Sequence, residues 1–253
     1  MDICVITGAS SGMGKEFAIQ LEKVNHYDEI WLIARREEKL KELSSTLSTK
    51  ARILPLDLEK EECLDLYKTK LEEEKPNIKT LVNASGYGKF GMFTDIDLKE
   101  DYGMINLNVK ALTAMTYNSL PFMSEGSEIY ELCSLSSFQP VPGINVYGAT
   151  KAYVLSFSRA LNVELKSRKI KVLAVSPGWV KTEFFNRAVT DNTITYYDKY
   201  YTPNEVITRA IRDMQKGKDV SVCGFSTRMQ VRLVKMLSHK LVMKIWCKQQ
   251  KIK

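Results

Sequence analysis

Apolar runs alternate with amphipathic helical segments along most of this chain. The runs are nearly continuous stretches of apolar residues, as is typical of strands that are covered on both faces. They are ICVIT (3–7), IWLIA (30–34), ARILPL (51–56), TLVNA (80–84), SEIYELC (127–133), IKVLAVS (170–176) and VSVCG (220–224). Helical patterns lie between them, at about 14–24, 36–48, 60–74, 98–119, 146–167 and 203–216. This order predicts a doubly wound α/β fold, a seven-stranded parallel sheet flanked by helices.

The length and composition favour one large domain. The chain has 253 residues, of which 44% are hydrophobic, so a sizeable core is expected. We predict a main domain over 1–224, with an irregular insertion at about 183–203, and a C-terminal extension over 225–253. No apolar stretch approaches the roughly 18 residues of a membrane span, and the first residues do not resemble a secretory signal.

The C-terminal extension is basic and amphipathic. From Val220 onward the chain contains no acidic residue, and the extension accounts for more than the net charge of +7. Val234, Leu237, Leu241 and Ile245 recur at helical spacing and predict one basic amphipathic helix. Two roles stay open for it: packing on its own domain or another subunit, or peripheral contact with an anionic membrane. A nucleic-acid role is not expected, because no recognition motif is present.

Cysteine usage indicates a reducing compartment. The five cysteines are odd in number, form no C-x-x-C pair and mostly sit in or near apolar runs. They read as buried, reduced thiols, which favours a cytoplasmic protein, with membrane association left open. No metal site is expected, because His26 and His239 are not spaced to join the cysteines in one.

A loop with three glycines follows the first strand. In TGASSGMG, Gly8, Gly12 and Gly14 permit a tight turn and a close approach of backbone N–H groups to a pyrophosphate. The helix that begins there adds the positive end of its dipole, and Ser10 and Ser11 add hydroxyl groups. The alternative is an ordinary strand–helix turn. The position at the first βα junction favours a dinucleotide site.

The second strand indicates which dinucleotide is bound. An NAD-binding acid is expected about 20 residues after the loop, but Ala34, Arg35 and Arg36 stand there. A guanidinium suits a 2′-phosphate, so the predicted cofactor is NADP (NADPH). The alternative is a solvated helix start, although basic residues oppose the dipole at that end. Asp57, after the third strand, could accept from an adenine amino group or cap a helix.

A phenol and an ammonium lie one helical turn apart in YGATK. Tyr147 and Lys151 are four residues apart and project from one helix face. A neighbouring ammonium favours the phenolate and lowers the pKa of a phenol, which makes this a plausible proton-transfer pair. Ser134 ends the fifth strand, where its hydroxyl could bond a carbonyl oxygen. Taken singly, each residue is also consistent with packing, solvation or a cap.

Five ordered motifs make the chain resemble the short-chain dehydrogenase/reductase family. They are TGASSGMG (7–14), NASG (83–86), INLNVKA (105–111), Ser134 placed thirteen residues before YGATK (147–151), and SPGWVKT (176–182). The resemblance covers roughly residues 1–185. It implies a single Rossmann-like domain and nicotinamide chemistry.

The resemblance also implies roles for individual residues. Tyr147 would be the general acid/base, Lys151 would lower its pKa and hold the nicotinamide ribose, and Ser134 would orient the carbonyl. Asn108 would anchor a water chain to Lys151. The cofactor would be bound by Gly8, Ser10, Ser11, Gly12, Met13, Gly14, Arg35, Arg36, Asp57, Leu58, Asn83, Ala84, Ser85, Tyr147, Lys151, Pro177, Gly178, Val180 and Thr182. Ser85 and Ala111 depart from the common pattern without removing a reacting group.

The irregular insertion at about 183–203 is the predicted substrate loop, and it is rich in aromatic residues. Its rings are Phe184, Phe185, Tyr196, Tyr197, Tyr200 and Tyr201, and Gly86, Tyr87 and Phe90 are candidates for the opposite wall. Aromatic walls suit a lipophilic or ring-containing substrate such as a steroid, lipid or aromatic ketone, unless the rings only pack the loop onto the core.

These observations predict an NADP(H)-dependent oxidoreductase that interconverts a ketone and a secondary alcohol. The small-molecule carbonyl or alcohol would be its main partner, and the family resemblance implies a homo-oligomer. The first alternative is a non-catalytic NADP-binding sensor or scaffold protein, which the Ser, Tyr, Lys and Asn set disfavours. The second is an epimerase- or dehydratase-like member of the wider family.

Overall fold

The computed structural model describes residues 1–189 and 191–252. Its strands are β1 (Asp2–Thr7), β2 (Glu29–Ile33), β3 (Ala51–Leu54), β4 (Asn77–Asn83), β5 (Glu128–Leu132), β6 (Lys171–Val175), β7 (Trp179–Val180), β8 (Tyr200–Tyr201) and β9 (Val220–Ser221). Seven parallel strands form one sheet in the order β3-β2-β1-β4-β5-β6-β9, which confirms the predicted architecture. The short strands β7 and β8 pair separately.

Helices cover both faces of the sheet. They are α1 (Gly12–Val24), α2 (Glu37–Ser44), α3 (Glu61–Glu74), α4 (Leu98–Ile105), α5 (Leu112–Ser119), α6 (Asn145–Glu164), α7 (Phe184–Ala188), α8 (Pro203–Gln215), α9 (Phe225–Met236) and α10 (His239–Gln250). A π-helical turn, Asn106–Ala111, joins α4 to α5 into one continuous helical segment. The helices predicted before residue 217 are confirmed to within a few residues.

The continuous apolar strands are explained by two hydrophobic cores. On one face of the sheet, α1 and α8 pack through residues such as Phe17 and Ile207. On the other face, α3, α5 and α6 pack through residues such as Tyr67, Met115 and Leu161. Strands that are covered on both sides cannot carry polar side chains on either side without a partner.

The strand order creates a crevice at one edge of the sheet. From β1 the chain builds β2 and β3 on one side, and it then crosses to β4 on the other side of β1. In doubly wound sheets, ligands bind outside the carboxyl ends of the strands at this reversal point. The loops after β1, β4 and β5 all open into this crevice.

The prediction of one C-terminal helix is wrong, because two helices are present. Leu237, a member of the predicted apolar stripe, ends α9 in an extended conformation. Ser238 then caps α10, its side chain accepting from the backbone N–H of Leu241 at 3.4 Å. A serine satisfies free N–H groups at a helix start, so it favours a break at this point. Thr190 and Lys253, which fall within the predicted substrate loop and basic extension, lie outside the described residues.

The two C-terminal helices pack on the rest of the chain. Val242 is buried, and the indole N–H of Trp246 donates to the carbonyl of Pro142 at 2.9 Å. The buried Gln250 side chain accepts from the backbone N–H of Tyr196 at 2.9 Å and donates to its carbonyl at 3.0 Å. The inner face of these helices therefore packs on the chain's own domain, which is one of the two roles that the sequence left open.

The described residues contain no membrane-spanning helix and no disulfide bond. Across residues 1–189 and 191–252, every helix is too short or too polar to traverse a lipid bilayer. The five cysteines carry free thiols, and three of them, Cys4, Cys133 and Cys223, are buried.

Candidate active site

Two cavities meet at the carboxyl ends of the strands. The first, here called the dinucleotide cavity, has a volume of about 490 Å³ and lies over the glycine loop. The second, the catalytic cavity, has a volume of about 480 Å³ and lies between the end of β5, α6 and the C-terminal helices. The side chains or backbone of Met13, Gly86, Leu132, Thr182 and Phe184 line both. A ligand in one cavity can therefore contact a ligand in the other.

The glycine loop is folded tightly against the sheet. Gly8 has φ +67°, and a Cβ there would lie 2.7 Å from the carbonyl oxygen of Ala84. A Cβ on Gly14 would lie 2.3 Å from the carbonyl oxygen of Gly8. Only glycine allows this close packing of backbone on backbone. It brings the N-terminus of α1 to the cavity, where free N–H groups suit a pyrophosphate.

Two guanidinium groups follow β2 and line the dinucleotide cavity. Arg36 donates to the hydroxyls of Ser10 at 3.1 Å and Ser11 at 2.9 Å, and it pairs with the Glu183 carboxylate at 2.8 Å. Arg35 lies 3.6 Å from a Glu59 carboxylate oxygen. These two guanidinium groups place positive charge where the sequence predicts the ribose 2′-phosphate of NADP. Glu183 was not predicted as part of the site, because its partner Arg36 is distant along the chain.

The structure brings most of the predicted site residues to the two cavities. Those that line the dinucleotide cavity are Gly8, Ser10, Ser11, Gly12, Met13, Gly14, Arg35, Arg36, Asp57, Leu58, Ala84, Ser85 and Thr182. Those that line the catalytic cavity are Ser134, Tyr147, Lys151, Pro177, Gly178 and Val180, again with Met13 and Thr182. Asn83 and Asn108 line neither cavity and are buried behind them.

The hydroxyl, phenol and ammonium groups share the catalytic cavity. Ser134 follows β5 and accepts from the backbone N–H of Ser136 at 3.2 Å, which fixes its side chain at the strand end. Tyr147 and Lys151 lie one turn apart near the start of α6. The Lys151 Nζ donates to the carbonyl of Leu132 at 2.6 Å, which ties α6 to the end of β5.

Burial shifts the pKa values of Tyr147 and Lys151 in opposite directions. Burial raises the pKa of Tyr147, and the Ser134 hydroxyl only partly offsets this. The predicted lowering of that pKa by the ammonium is not met in this structure, because Lys151 Nζ is directed at the Leu132 carbonyl, 5.8 Å from the tyrosine ring centroid. Burial also lowers the pKa of Lys151, to about 8. The phenol therefore keeps its proton at neutral pH, while the ammonium can titrate.

A buried carboxyl group, Glu131, lies behind this pair and was not predicted. Its Oε1 accepts from Asn83 Nδ2 at 3.1 Å and from the Thr116 hydroxyl at 2.9 Å, while Oε2 has no partner among the described residues. Burial raises the pKa of Glu131 to about 8, although the charge of Lys151 opposes this. The signal in the sequence was an acid inside the apolar run IYEL.

Asn108 lies in the π-helical turn and organises the loop after β4. Its Oδ1 accepts from the backbone N–H of Tyr87 at 3.1 Å, and its Nδ2 donates to the Tyr87 carbonyl at 2.9 Å and to Thr150 at 3.1 Å. A Cβ on Gly86 would lie 2.8 Å from Asn108 Oδ1 and 3.5 Å from Lys151 Nζ. Asn108 is thus adjacent to Lys151, and π-helical turns are frequent at functional sites.

The aromatic loop divides between the cavity and its own packing. Phe184, Phe185 and Tyr196 line the catalytic cavity. Tyr197 and Tyr200 stack on each other with ring centroids 5.9 Å apart, outside the cavity. Of the candidates for the opposite wall, Gly86 and Phe90 line the catalytic cavity, whereas Tyr87 lines the dinucleotide cavity.

The C-terminal helices form a further wall that sequence reasoning did not assign to the site. Their lining residues are Gln230, Val231, Leu233, Val234, Leu237, Val242, Ile245, Trp246 and Gln249. The only signal was the helical spacing of apolar residues, which shows that a face is covered but not what it covers.

A glycine-lined cavity that meets a Ser, Tyr and Lys set defines an oxidoreductase site in a doubly wound fold. A family model described as short chain dehydrogenase matches residues 2–193, and the chain belongs to that family of oxidoreductases.

Two solved structures and one curated relative are similar to the chain. Sulfoacetaldehyde reductase 2 of Chromohalobacter salexigens is 36% identical over 189 residues, covering 72% of this chain and 74% of that protein. A short-chain dehydrogenase from Sphingobium yanoikuyae in complex with NADPH superposes with a TM-score of 0.78 at 29% identity, covering 88% of this chain and 87% of that one. The bulky-bulky ketone specific alcohol dehydrogenase from Comamonas testosteroni has a TM-score of 0.71 at 25% identity, covering 88% and 86%.

Proposed function

We propose that this chain is an NADP(H)-dependent oxidoreductase that interconverts a ketone and a secondary alcohol with a lipophilic or ring-containing substrate. One observation carries the proposal: Ser134, Tyr147 and Lys151 line a cavity that opens into the dinucleotide cavity. The similar proteins named above, a reductase and a ketone-specific alcohol dehydrogenase, support the same reaction class.

The residues of the dinucleotide cavity fit NADPH, which supplies a hydride when bound. The N-terminus of α1 would hold the pyrophosphate, and Arg35 and Arg36 would hold the 2′-phosphate through charge-assisted hydrogen bonds. The strand β2 is followed directly by Ala34, Arg35 and Arg36 rather than by an acid, which favours NADP over NAD. The similar structure from Sphingobium yanoikuyae, which contains NADPH, supports this preference.

The side chains of the catalytic cavity supply the proton and orient the carbonyl group. Ser134 would donate a hydrogen bond to the carbonyl oxygen, and Tyr147 would transfer its proton to that oxygen as the carbonyl carbon is reduced. The raised pKa of Tyr147 keeps the phenol protonated, which is the form that a proton donor to the carbonyl oxygen requires. Lys151, in its charged form and turned from the Leu132 carbonyl towards the phenol, would stabilise the phenolate that remains. The oxidation of an alcohol would use the same groups in reverse.

The walls of the catalytic cavity favour a bulky apolar substrate. A volume of about 480 Å³ lies within the range of small-molecule sites, and the walls are mostly aliphatic and aromatic. We infer that 1–224 form the catalytic domain and that the extension 225–253 completes its substrate cavity. A steroid, a lipid or an aromatic ketone fits this description.

The test is NADPH oxidation, followed by absorbance, with a panel of ketones and aldehydes that includes steroid ketones. Tyr147→Phe should abolish turnover and still bind NADPH, as measured by fluorescence titration. Tyr153→Phe is the matched control, because Tyr153 is on the same helix, is exposed and shares a hydrogen bond with Thr113 away from the cavity. Full turnover in Tyr147→Phe would contradict the assignment. Bound NADPH without any turnover would favour a sensor or scaffold, and conversion without net oxidation would favour an epimerase- or dehydratase-like reaction.

We also propose a homo-oligomer in the cytoplasm. Large apolar side chains are exposed on the helices α4, α5 and α6, including Tyr102, Tyr117 and Val163, and such a surface is suited to a second subunit. The free thiols are consistent with a reducing compartment. Light scattering of the purified chain tests the oligomer, and a monomer at all concentrations would contradict it.

A further inference from the structure

The outer face of α9 is apolar and exposed. Phe225, Met229, Leu233 and Met236 are separated by four, four and three residues, so they lie on one side of the helix. Phe225 is 73% and Met236 is 83% exposed. Large apolar side chains that are this exposed and share one helix face mark a surface for a partner, whereas scattered ones do not.

Basic side chains border this apolar face and continue along α10. On α9 the basic side chains lie along one flank of the apolar face; they are Arg228, Arg232 and Lys235. On α10 the exposed Leu241 and Ile245 run beside Lys240, Lys244 and Lys248. Among the residues that the structure describes, none of these basic groups is in an ion pair. Their charge is therefore available to an anionic partner.

The exposed face reaches the mouth of the catalytic cavity. Leu233 on α9 and Ile245 on α10 are both exposed, and both also line the cavity. The outer apolar surface therefore continues between the two helices into the apolar interior. A surface that served only to bind a protein partner would have no need for this continuity.

We propose that α9 and α10 dock this chain on an anionic lipid surface, with the mouth of the catalytic cavity towards the lipid. Exposed apolar side chains beside a row of lysines and arginines match the chemistry of a bilayer interface, where rings and aliphatic chains insert and basic groups contact anionic head groups. Since no described helix can span a bilayer, the contact is peripheral. A lipophilic carbonyl compound would then enter the cavity directly from the lipid; this last step rests on the proposed function.

The experiment is co-sedimentation of the full chain with vesicles of phosphatidylcholine, alone or mixed with phosphatidylglycerol. Sedimentation with the mixed vesicles only, reduced by high salt, is expected. Phe225→Ser combined with Met236→Ser should weaken binding at least ~10-fold, because both side chains insert without lining the cavity. Lys244→Glu combined with Lys248→Glu should abolish the preference for phosphatidylglycerol.

The matched control is Val24→Ser combined with Leu66→Ser, which removes two exposed apolar side chains from α1 and α3, outside both the docking face and the proposed subunit surface, and should sediment as the wild type does. Circular dichroism and turnover of a water-soluble ketone check that each variant is folded. Equal sedimentation with both vesicle types, or unchanged binding of the Phe225 and Met236 variant, would overturn the proposal. Loss of self-association in that variant, without vesicle binding by the wild type, would assign the face to a second copy of the chain.

The two proposals fail separately. Sedimentation does not depend on turnover, so vesicle binding by a chain that reduces no carbonyl compound would leave docking intact and refute the proposed function. Conversely, turnover of soluble ketones without vesicle binding would refute docking only. Entry from lipid predicts that vesicles raise the rate with a membrane-dissolved ketone in the wild type and not in the Phe225 and Met236 variant.

Discussion

Replacing Glu131 by glutamine should remove a pH-dependent loss of stability. The side chain is fully buried beneath the reacting pair, and its pKa is raised from 4.5 to about 8. Between these two values the unfolded chain has released the proton and the folded chain retains it. The contribution of Glu131 to the free energy of unfolding therefore falls as the pH rises from about 4.5 to about 8, since the unfolded state binds fewer protons at this group.

The size of this loss follows from the two pKa values. Each pH unit inside the window costs about 1.4 kcal/mol, so the wild type should lose about 3 kcal/mol between pH 5 and pH 7 through this one group. Glutamine resembles the protonated acid and still accepts from Asn83 and Thr116. In Glu131→Gln the loss should vanish, and the variant should be more stable than the wild type at pH 7 but similar to it at pH 5.

Urea unfolding at several pH values, at one protein concentration, measures the effect. Glu125→Gln is the matched control, because Glu125 is exposed and its ion pair with Lys169 is worth about 0–1 kcal/mol. Parallel pH dependence of the wild type and Glu131→Gln would refute the reasoning. The same substitution should also change the pH dependence of activity. The Glu131 charge raises the pKa of Lys151, so Glu131→Gln should lose activity at a lower pH than the wild type does on the alkaline side.

Three further predictions concern the cofactor and the reaction. Glu183→Gln frees Arg36 from an exposed ion pair, so NADPH should bind up to about fivefold tighter by fluorescence titration, while NADH binding is unchanged. Weaker NADPH binding would contradict the idea that the Glu183 carboxylate competes with the 2′-phosphate for Arg36. Gly14→Ala places a methyl group against the Gly8 carbonyl and should cost about 1–3 kcal/mol or more in urea unfolding, together with cofactor affinity; a neutral effect would mean that the loop can shift. Ketone reduction should decline as the pH rises through about 8, because Lys151 loses its proton there, and in Lys151→Arg any remaining activity should lack this decline; an unchanged decline would assign it to another group.

Local patterns predicted the sheet, most helices and the reacting set. The glycine loop and the Tyr147–Lys151 pair are each determined by spacing within one segment, so a single stretch of sequence contains the information. The break at Ser238 was missed, because the capping preference of one serine competes with an apolar stripe that continues through it.

Contacts between distant segments could not be predicted in this way. The indole of Trp246 donates to Pro142, and the Lys151 ammonium donates to the backbone of Leu132 rather than facing the phenol. Glu131 was missed for a related reason. An acid inside an apolar run reveals its burial only once Asn83 and Thr116 are known to surround it.

The wall that α9 and α10 build has a consequence for how such a chain can diversify. The glycine loop, Arg35, Arg36 and the proposed proton donor Tyr147 all precede these helices, and so does the part of the chain that matches the family. If the proposed function holds, the part of substrate selectivity that α9 and α10 determine is separated along the sequence from the groups that carry out the reaction. Exchanging the last two helices for another pair should alter which molecules are accepted, and the reduction itself should proceed as before.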